Sequence, residues 1–415
     1  MKTMTALALV LASAPAAYAA SPSLNESFID QIGTKNTATI AQQNGNNGQS
    51  TFQAGKKNSV TTGQLSQAPA GKNTSGNVQV GKSNTATTLQ TNTPPNPELT
   101  TAAFTNNSFS AQYGVKNDVT LLQTGGQNNQ GTVQAGKKNE SLVSQSDQSV
   151  TPASASPVGG ANTSFTGQFG NKNTATTSQK SADGTTDFGQ FETGHGNASA
   201  SVQVGDRNVA NTDQKSVGTN AGLGTNNAAA SAQVGNGNIE NTTQGGHVAS
   251  SFGDTTADQI ANFTNASFVG QVGVKNDAEI DQKNGANAQA SFQTGAQNSA
   301  LINQTTKPLG TGDGSNNAVT AQFGIKNQAI VNQSMAVPLA LGENNSFITQ
   351  IGGNNVVNST QSVGQQASAG NNTQVAMQFG IGNSVNVTQT TGANVANTSF
   401  TAQFGSHNSA VVSQK

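Results

Sequence analysis

Gln271-Val-Gly-Val-Lys-Asn-Asp-Ala-Glu-Ile-Asp-Gln282 decides how this chain is read, because its skeleton, Q-x-G-x-x-N-x-x-x-x-x-Q, returns fourteen times. The first glutamines of the copies are Gln31, Gln53, Gln79, Gln112, Gln134, Gln168, Gln203, Gln233, Gln271, Gln293, Gln322, Gln350, Gln378 and Gln403. Each is followed by Gly two positions on, Asn five on and Gln eleven on, while almost everything between varies. Tandem units too small to close a core of their own stack into a quasi-one-dimensional fold, so these four fixed positions are read as what the stacking demands.

Each unit divides into two extended runs joined by a four-residue Gly-x-x-Asn link. In the first copy Ser27-Phe-Ile-Asp-Gln-Ile32 precedes Gly33-Thr-Lys-Asn36, and Thr37-Ala-Thr-Ile-Ala-Gln42 follows it. Both runs are rich in β-branched residues and of ordinary strand length, which predicts strand, tight arc, strand. The arc glycines are Gly33, Gly55, Gly81, Gly114, Gly136, Gly170, Gly205, Gly235, Gly273, Gly295, Gly324, Gly352, Gly380 and Gly405. Gly adopts φ > 0 freely and Asn tolerates the left-handed region, so the pair is expected to set the two ends of the arc. In the densest units glutamines also fall eleven apart across the second link, as in Gln31, Gln42, Gln53 and Gln64, making one turn about 22 residues. The predicted fold is all-β: a β-solenoid of stacked strand-arc-strand repeats with two strands per turn.

Stacking turns at about 4.8 Å places identical residues above one another, so each fixed position becomes a column. Gln and Asn suit columns because an amide both donates and accepts, and can bond the copies above and below. The stacking columns are expected to include Gln31, Asn36 and Gln42, then Gln53, Asn58 and Gln64. Further along they include Gln271, Asn276 and Gln282, then Gln293, Asn298 and Gln304, and at the end Gln403, Asn408 and Gln414. In the second strand Ala38, Ile40 and Gln42 share a parity that faces the core. In the first strand the apolar residues are out of phase with the glutamine: Phe28, Phe109, Phe165, Phe268, Phe347 and Phe400 stand three before it. Either these face inward and the first glutamines are solvated, or the glutamines are confined and the apolar files form a lateral association surface. Strict identity favours confined glutamines.

Composition excludes several classes. Only 32% of the residues are hydrophobic and none is Trp, so a conventional core is not expected, yet 9% charge and a net charge of −1 do not describe a charge-driven disordered chain either. Near-neutrality argues against specific nucleic-acid binding. The absence of Cys removes disulfides and thiolate metal sites. The three histidines, His195, His247 and His407, lie in or beside links without metal-ligand spacing, and Gly253-Asp254 and Gly312-Asp313 lack the per-turn aspartate of a calcium β-roll. No nucleophile, paired-carboxylate or phosphate-loop pattern recurs, so a non-enzyme without cofactor is expected. Lys35, Lys57, Lys116, Lys138, Lys172, Arg207, Lys275 and Lys326 stand immediately before the arc Asn, with Lys82 one position earlier. Such a row keeps an edge soluble, or contacts anionic polymers.

The N-terminus carries Lys2, the apolar run Ala6–Ala12, Pro15 and Ala17-Tyr-Ala19, which predicts a secretory signal peptide over residues 1–19, cleaved after Ala19. A short segment, 20–26, would precede a repeat region over 27–415 containing all fourteen copies, and no stretch is apolar enough for an integral membrane segment. Spacing between successive first glutamines runs from 22 (Gln31 to Gln53) to 38 (Gln233 to Gln271), and the excess falls in the second link: Thr91–Asn107, Ser146–Thr163 and Gly245–Ala266 read as surface insertions. Glu192-Thr-Gly-His-Gly-Asn197 resembles a degraded extra arc.

These residues resemble the curlin repeat, S-x5-Q-x-G-x-x-N-x-A-x3-Q, which marks the subunits of curli, the extracellular amyloid fibres of bacterial biofilms. The likeness includes Ala two after the arc Asn, at Ala38, Ala86, Ala175, Ala210, Ala278, Ala300, Ala329 and Ala410. The chain departs from it in repeat number, in its Pro-bearing insertions and in having Ser four rather than six before the Gln in many copies. The resemblance implies a secreted, pilus-like structural subunit that assembles with itself, with other curli subunits and a nucleator, and passes an outer-membrane secretion pore. The alternatives are a monomeric solenoid adhesin, which would need a regular Thr array and capped ends, and a right-handed β-helix enzyme, which would need clustered carboxylates on three-strand turns.

Overall fold

The computed structural model describes residues 24–66, 71–92, 105–148, 161–182, 196–217, 225–245, 263–306, 314–335, 342–364, 370–391 and 395–415. The predicted signal peptide, His195, His247, both Gly-Asp pairs and the middles of the long insertions lie outside the described residues. Twenty-eight strands run from β1 (Asn25–Thr34) and β2 (Thr37–Gln43) to β27 (Ala396–Ser406) and β28 (Ser409–Gln414). Odd strands form one fourteen-stranded sheet and even strands another, each in strict chain order. Every pairing is parallel and in register with the repeat, so Gln31 faces Gln53 and Gln53 faces Gln79, while Gln42 faces Gln64. This is a solenoid with two strands per turn, and the two sheets are its walls.

The arcs follow from backbone geometry. The first-position glycines, Gly33 through Gly405, have φ between 102° and 131°, a region closed to side chains. In each but the last turn a Cβ at this glycine would overlap the carbonyl oxygen of the arc glycine above it. Glycine is therefore required twice, by φ and by the closeness of the stacked backbones. The left-handed residue at the other end is not the Asn but the one before it. Lys35, Lys57, Ser83, Lys116, Lys138, Lys172, Arg207, Lys275, Gln297, Lys326, Asn354 and His407 hold φ of 55–60° there. The expectation for Asn was off by one residue, because Asn contributes hydrogen bonds to the arc rather than its unusual φ.

Strands also reach further into the insertions than the sequence suggested. The odd strands of the long-insertion units begin at Thr105, Asn162 and Phe263; most of the stretch Glu192–Asn197 lies outside the described residues, and Asn197 opens the strand Asn197–Asp206. Tight second links survive where no insertion intervenes, as at Asn44 (φ 52°) and Gly45 (φ 64°).

Between the walls the packing changes character along the axis. One continuous apolar cluster joins Val269, Ile280, Ile302, Val331, Ile348 and Val387, all in the C-terminal half. In the N-terminal half, the file that holds Val269 and Ile348 is occupied by buried Thr51, Asn77, Ser110, Thr132, Thr166 and Ser201. Hydrophobic burial therefore supports mainly the later turns. The earlier ones keep smaller apolar contributions, at Val60, Val119, Leu121 and Val143, beside these polar side chains.

Candidate functional site: the amide ladders

The glutamines face inward, which settles the parity of the first strand. Between the end turns the first glutamines are buried, and each donates Nε2 to Oε1 of the next at 2.5–3.0 Å, from Gln31 to Gln403. The second glutamines form the same ladder at 2.7–2.9 Å, from Gln42 to Gln414. Each Nε2 except that of Gln31 in the end turn has a further acceptor in the opposite wall, as in Gln53 to the Thr37 carbonyl (3.1 Å) and Gln282 to the Ala266 carbonyl (2.9 Å). That bond fixes which end of the amide carries the nitrogen, so all the glutamines donate toward the C-terminal end. Each such bond contributes about 1 kcal/mol net, and burying the amide unpaired costs about 1–3 kcal/mol.

The arc asparagines work differently from the simple column expected of them. The Oδ1 of Asn36 accepts from the backbone N–H of Asn58, and this link repeats at 3.0–3.2 Å to Asn408. Their Nδ2 donates to the arc glycine carbonyl of the next turn, as in Asn58 to Gly81 (3.2 Å), Asn276 to Gly295 (3.2 Å) and Asn298 to Gly324 (3.0 Å). The arc leaves the sheet ladder, and its Asn occupies backbone groups that would otherwise be orphaned.

A further ladder escaped the sequence reading. Asn25, Asn47, Asn73, Asn106 and their counterparts to Asn397 stand six before every first glutamine. Each donates Nδ2 to Oδ1 of its counterpart in the preceding turn at 2.7–3.2 Å, opposite in sense to the glutamines. Its sequence signal is as strict as that of the glutamines. It lies just past the variable link, where it reads as the end of an insertion.

At both ends the ladders are open among the described residues. β1 and β2 pair on one side only, as do β27 and β28. Gly405 is the one arc glycine whose added Cβ would meet no backbone, its nearest neighbour being Asn408 Nδ2 at 3.8 Å. The two ends thus present the same skeleton, offset by fourteen turns.

Two charged features complete the site. Lys35, Lys56, Lys57, Lys82, Lys116, Lys137, Lys138, Lys172 and Arg207 project from the first seven arcs, all exposed, with Asp206 the single acid in the two middle arc positions. The one ion pair among the described residues, Lys283–Asp281, lies elsewhere. The other feature is Glu240, fully buried in a file otherwise held by small or aliphatic residues, with Ala210 and Ala278 directly beside it. Burial pushes its carboxyl up to about 7, partly offset by the Thr242 and Ser231 hydroxyls.

Compared with known proteins, the chain matches no family model, and no curated protein is similar to it. Among the described residues no helix is long and apolar enough to cross a membrane.

Because Glu240 titrates near 7 when folded and near 4.3 when unfolded, the folded state keeps a proton that the unfolded chain has released. That contribution, on the order of 3 kcal/mol, is present below pH ~4.5 and is lost as pH rises through 7. Thermal melts between pH 4.5 and 8 should show the midpoint falling with pH in the wild type and a flatter profile in Glu240→Gln. Parallel profiles would mean that the carboxyl is solvated.

Proposed function

We propose that this chain is a secreted structural subunit that adds end to end into curli-like amyloid fibres, serving adhesion and biofilm matrix. The observation that carries the reading is the pair of open ends bearing one skeleton. An edge strand with unpaired N–H and C=O groups templates another strand, and here the side-chain ladders extend the same demand inward. At the C-terminal end, Gln403 and Gln414 carry amide nitrogens whose stacking acceptor would be the glutamine of a following turn. At the N-terminal end, Gln31 and Gln42 carry the corresponding oxygens. An incoming N-terminal turn completes both. Among the described residues nothing covers the two end turns, and long edges of this kind are an aggregation hazard that monomers cover or blunt.

The cationic edge supports a second, compatible role, the holding of anionic matrix polymers. A long side chain in the left-handed region costs about 1 kcal/mol or more relative to Gly, yet Lys or Arg recurs there. Binding of a linear polyphosphate to the fibres should weaken steeply with salt and fall in a variant with Lys56, Lys57, Lys137 and Lys138 changed to Gln. Unchanged binding in that variant would remove the edge from the account.

Fibre growth is tested at Gly405. Gly405→Ala meets no described turn and confines its φ strain to the terminal arc, so the variant should keep a near-wild-type circular dichroism spectrum but stop growth after one addition. Gly273→Ala, in mid-stack against the Gly295 carbonyl, should instead impair folding itself. Seeded elongation at matched monomer concentration reads the difference. Elongation of Gly405→Ala at the wild-type rate would contradict end-to-end addition.

A further inference from the structure

The two walls of the solenoid have different outer faces. Confining the glutamines turns the alternate residues of the odd strands outward, and from Gly48 to Phe404 the four outward files between five before and one after the glutamine carry no charge; Lys72 and Glu343 bound the strip on one side and the arc residues Lys56, Lys82, Lys137 and Asp206 on the other. Phe109, Phe165, Phe268 and Phe347 stand on this face, each 38–44% exposed, with Val, Ile and Phe in the file beyond the glutamine. The other wall presents Thr, Ser and Asn with scattered aliphatics such as Leu89, Leu122 and Leu142, and it is interrupted by charge at Asp118, Asp213, Asp277 and Glu279 and at Lys180 and Lys215. One wall is therefore a flat apolar strip and the other an ordinary polar surface.

We infer that the apolar wall is the docking surface for a second copy of this chain, two solenoids pairing face to face. Thirteen strands at ~4.8 Å and five residues at ~3.3 Å make the strip on the order of 1,000 Å². That exceeds the ~800 Å² per partner of a stable protein interface and the few hundred Å² of apolar surface that monomers ordinarily leave open. A second copy brings an equally uncharged strip, so no like charges meet, whereas the other wall carries charge. The identical spacing of the files lets two copies interdigitate at the ~10 Å separation of stacked sheets. Ordering costs are small because rings are already packed against neighbours: Phe379 and Phe404 stack at 5.0 Å and 4°, and Phe268 meets Phe292 at 5.2 Å. Pairing needs only the fold, and does not rest on end-to-end growth.

The test is electron microscopy of assemblies of the full chain, in which width reports pairing and length reports stacking, so the two ideas fail separately. Wild-type assemblies should be two solenoids wide. The triple variant Phe165→Lys, Phe268→Lys, Phe347→Lys should be one solenoid wide, and Thr176→Lys, Thr243→Lys, Asn303→Lys on the polar wall should remain paired. Wild-type assemblies one solenoid wide would overturn the proposal whatever the variants do, including the case where the strip is instead found coating apolar beads. So would pairing that survives the three lysines on the apolar wall.

Discussion

A buried primary amide needs partners for its nitrogen and its oxygen, and in a narrow two-walled solenoid those partners come from the turns above and below and from the facing wall. Everything else in this molecule follows from that requirement. A slip of one residue in any strand would turn its glutamine to solvent and leave its neighbours with orphaned groups on both sides, at about 1–3 kcal/mol for each. The ladders therefore fix register in a chain whose hydrophobic content could not. They matter most in the N-terminal half, where Thr51, Asn77, Ser110 and Thr132 fill the space that Val269 and Ile348 fill later.

Confined glutamines have a consequence on the outside. Strand alternation is strict, so placing polar residues inward sends the alternate residues outward, and in the odd strands these are Phe, Val and Ala. The usual arrangement of a half-buried strand is inverted in this wall. The arcs show a similar division of labour: glycine permits the backbone approach, the following left-handed residue closes the turn, and Asn occupies the peptide groups that the sheets leave behind. Lys at that left-handed position places charge along one edge, where it stays clear of both the ladders and the apolar wall.

The period, the arcs and the two-strand turn were legible in the sequence because Gln, Gly, Asn and Gln recur at unvarying offsets. The inward parity was legible only as a preference, since Phe28 and Gln31 compete for the same side and hydrophobicity alone favours Phe. The structure resolves it through paired partners, which a single strand does not display. The Asn25-to-Asn397 ladder was missed although it is invariant, because spacing from 22 to 38 residues moves it relative to the preceding strand. Only counting backward from the next glutamine finds it. The left-handed residue was misplaced by one because Asn is the commonest non-Gly occupant of that region, whereas here its side chain is needed for hydrogen bonding. Glu240 carried a signal that went unused: it stands two after Asn238, the position of Ala210 and Ala278, whose parity faces the core, but an acid there ordinarily reads as an outward residue.

The central claim, that stacked and buried amides hold the solenoid together, is tested most directly by hydrogen exchange of the glutamine side-chain NH2 groups in assembled protein. The account predicts strong protection for Gln53 through Gln378 in the first ladder and Gln64 through Gln361 in the second, and weak protection at exposed amides such as Gln43. Exchange of the ladder amides at the rate of free glutamine would contradict it.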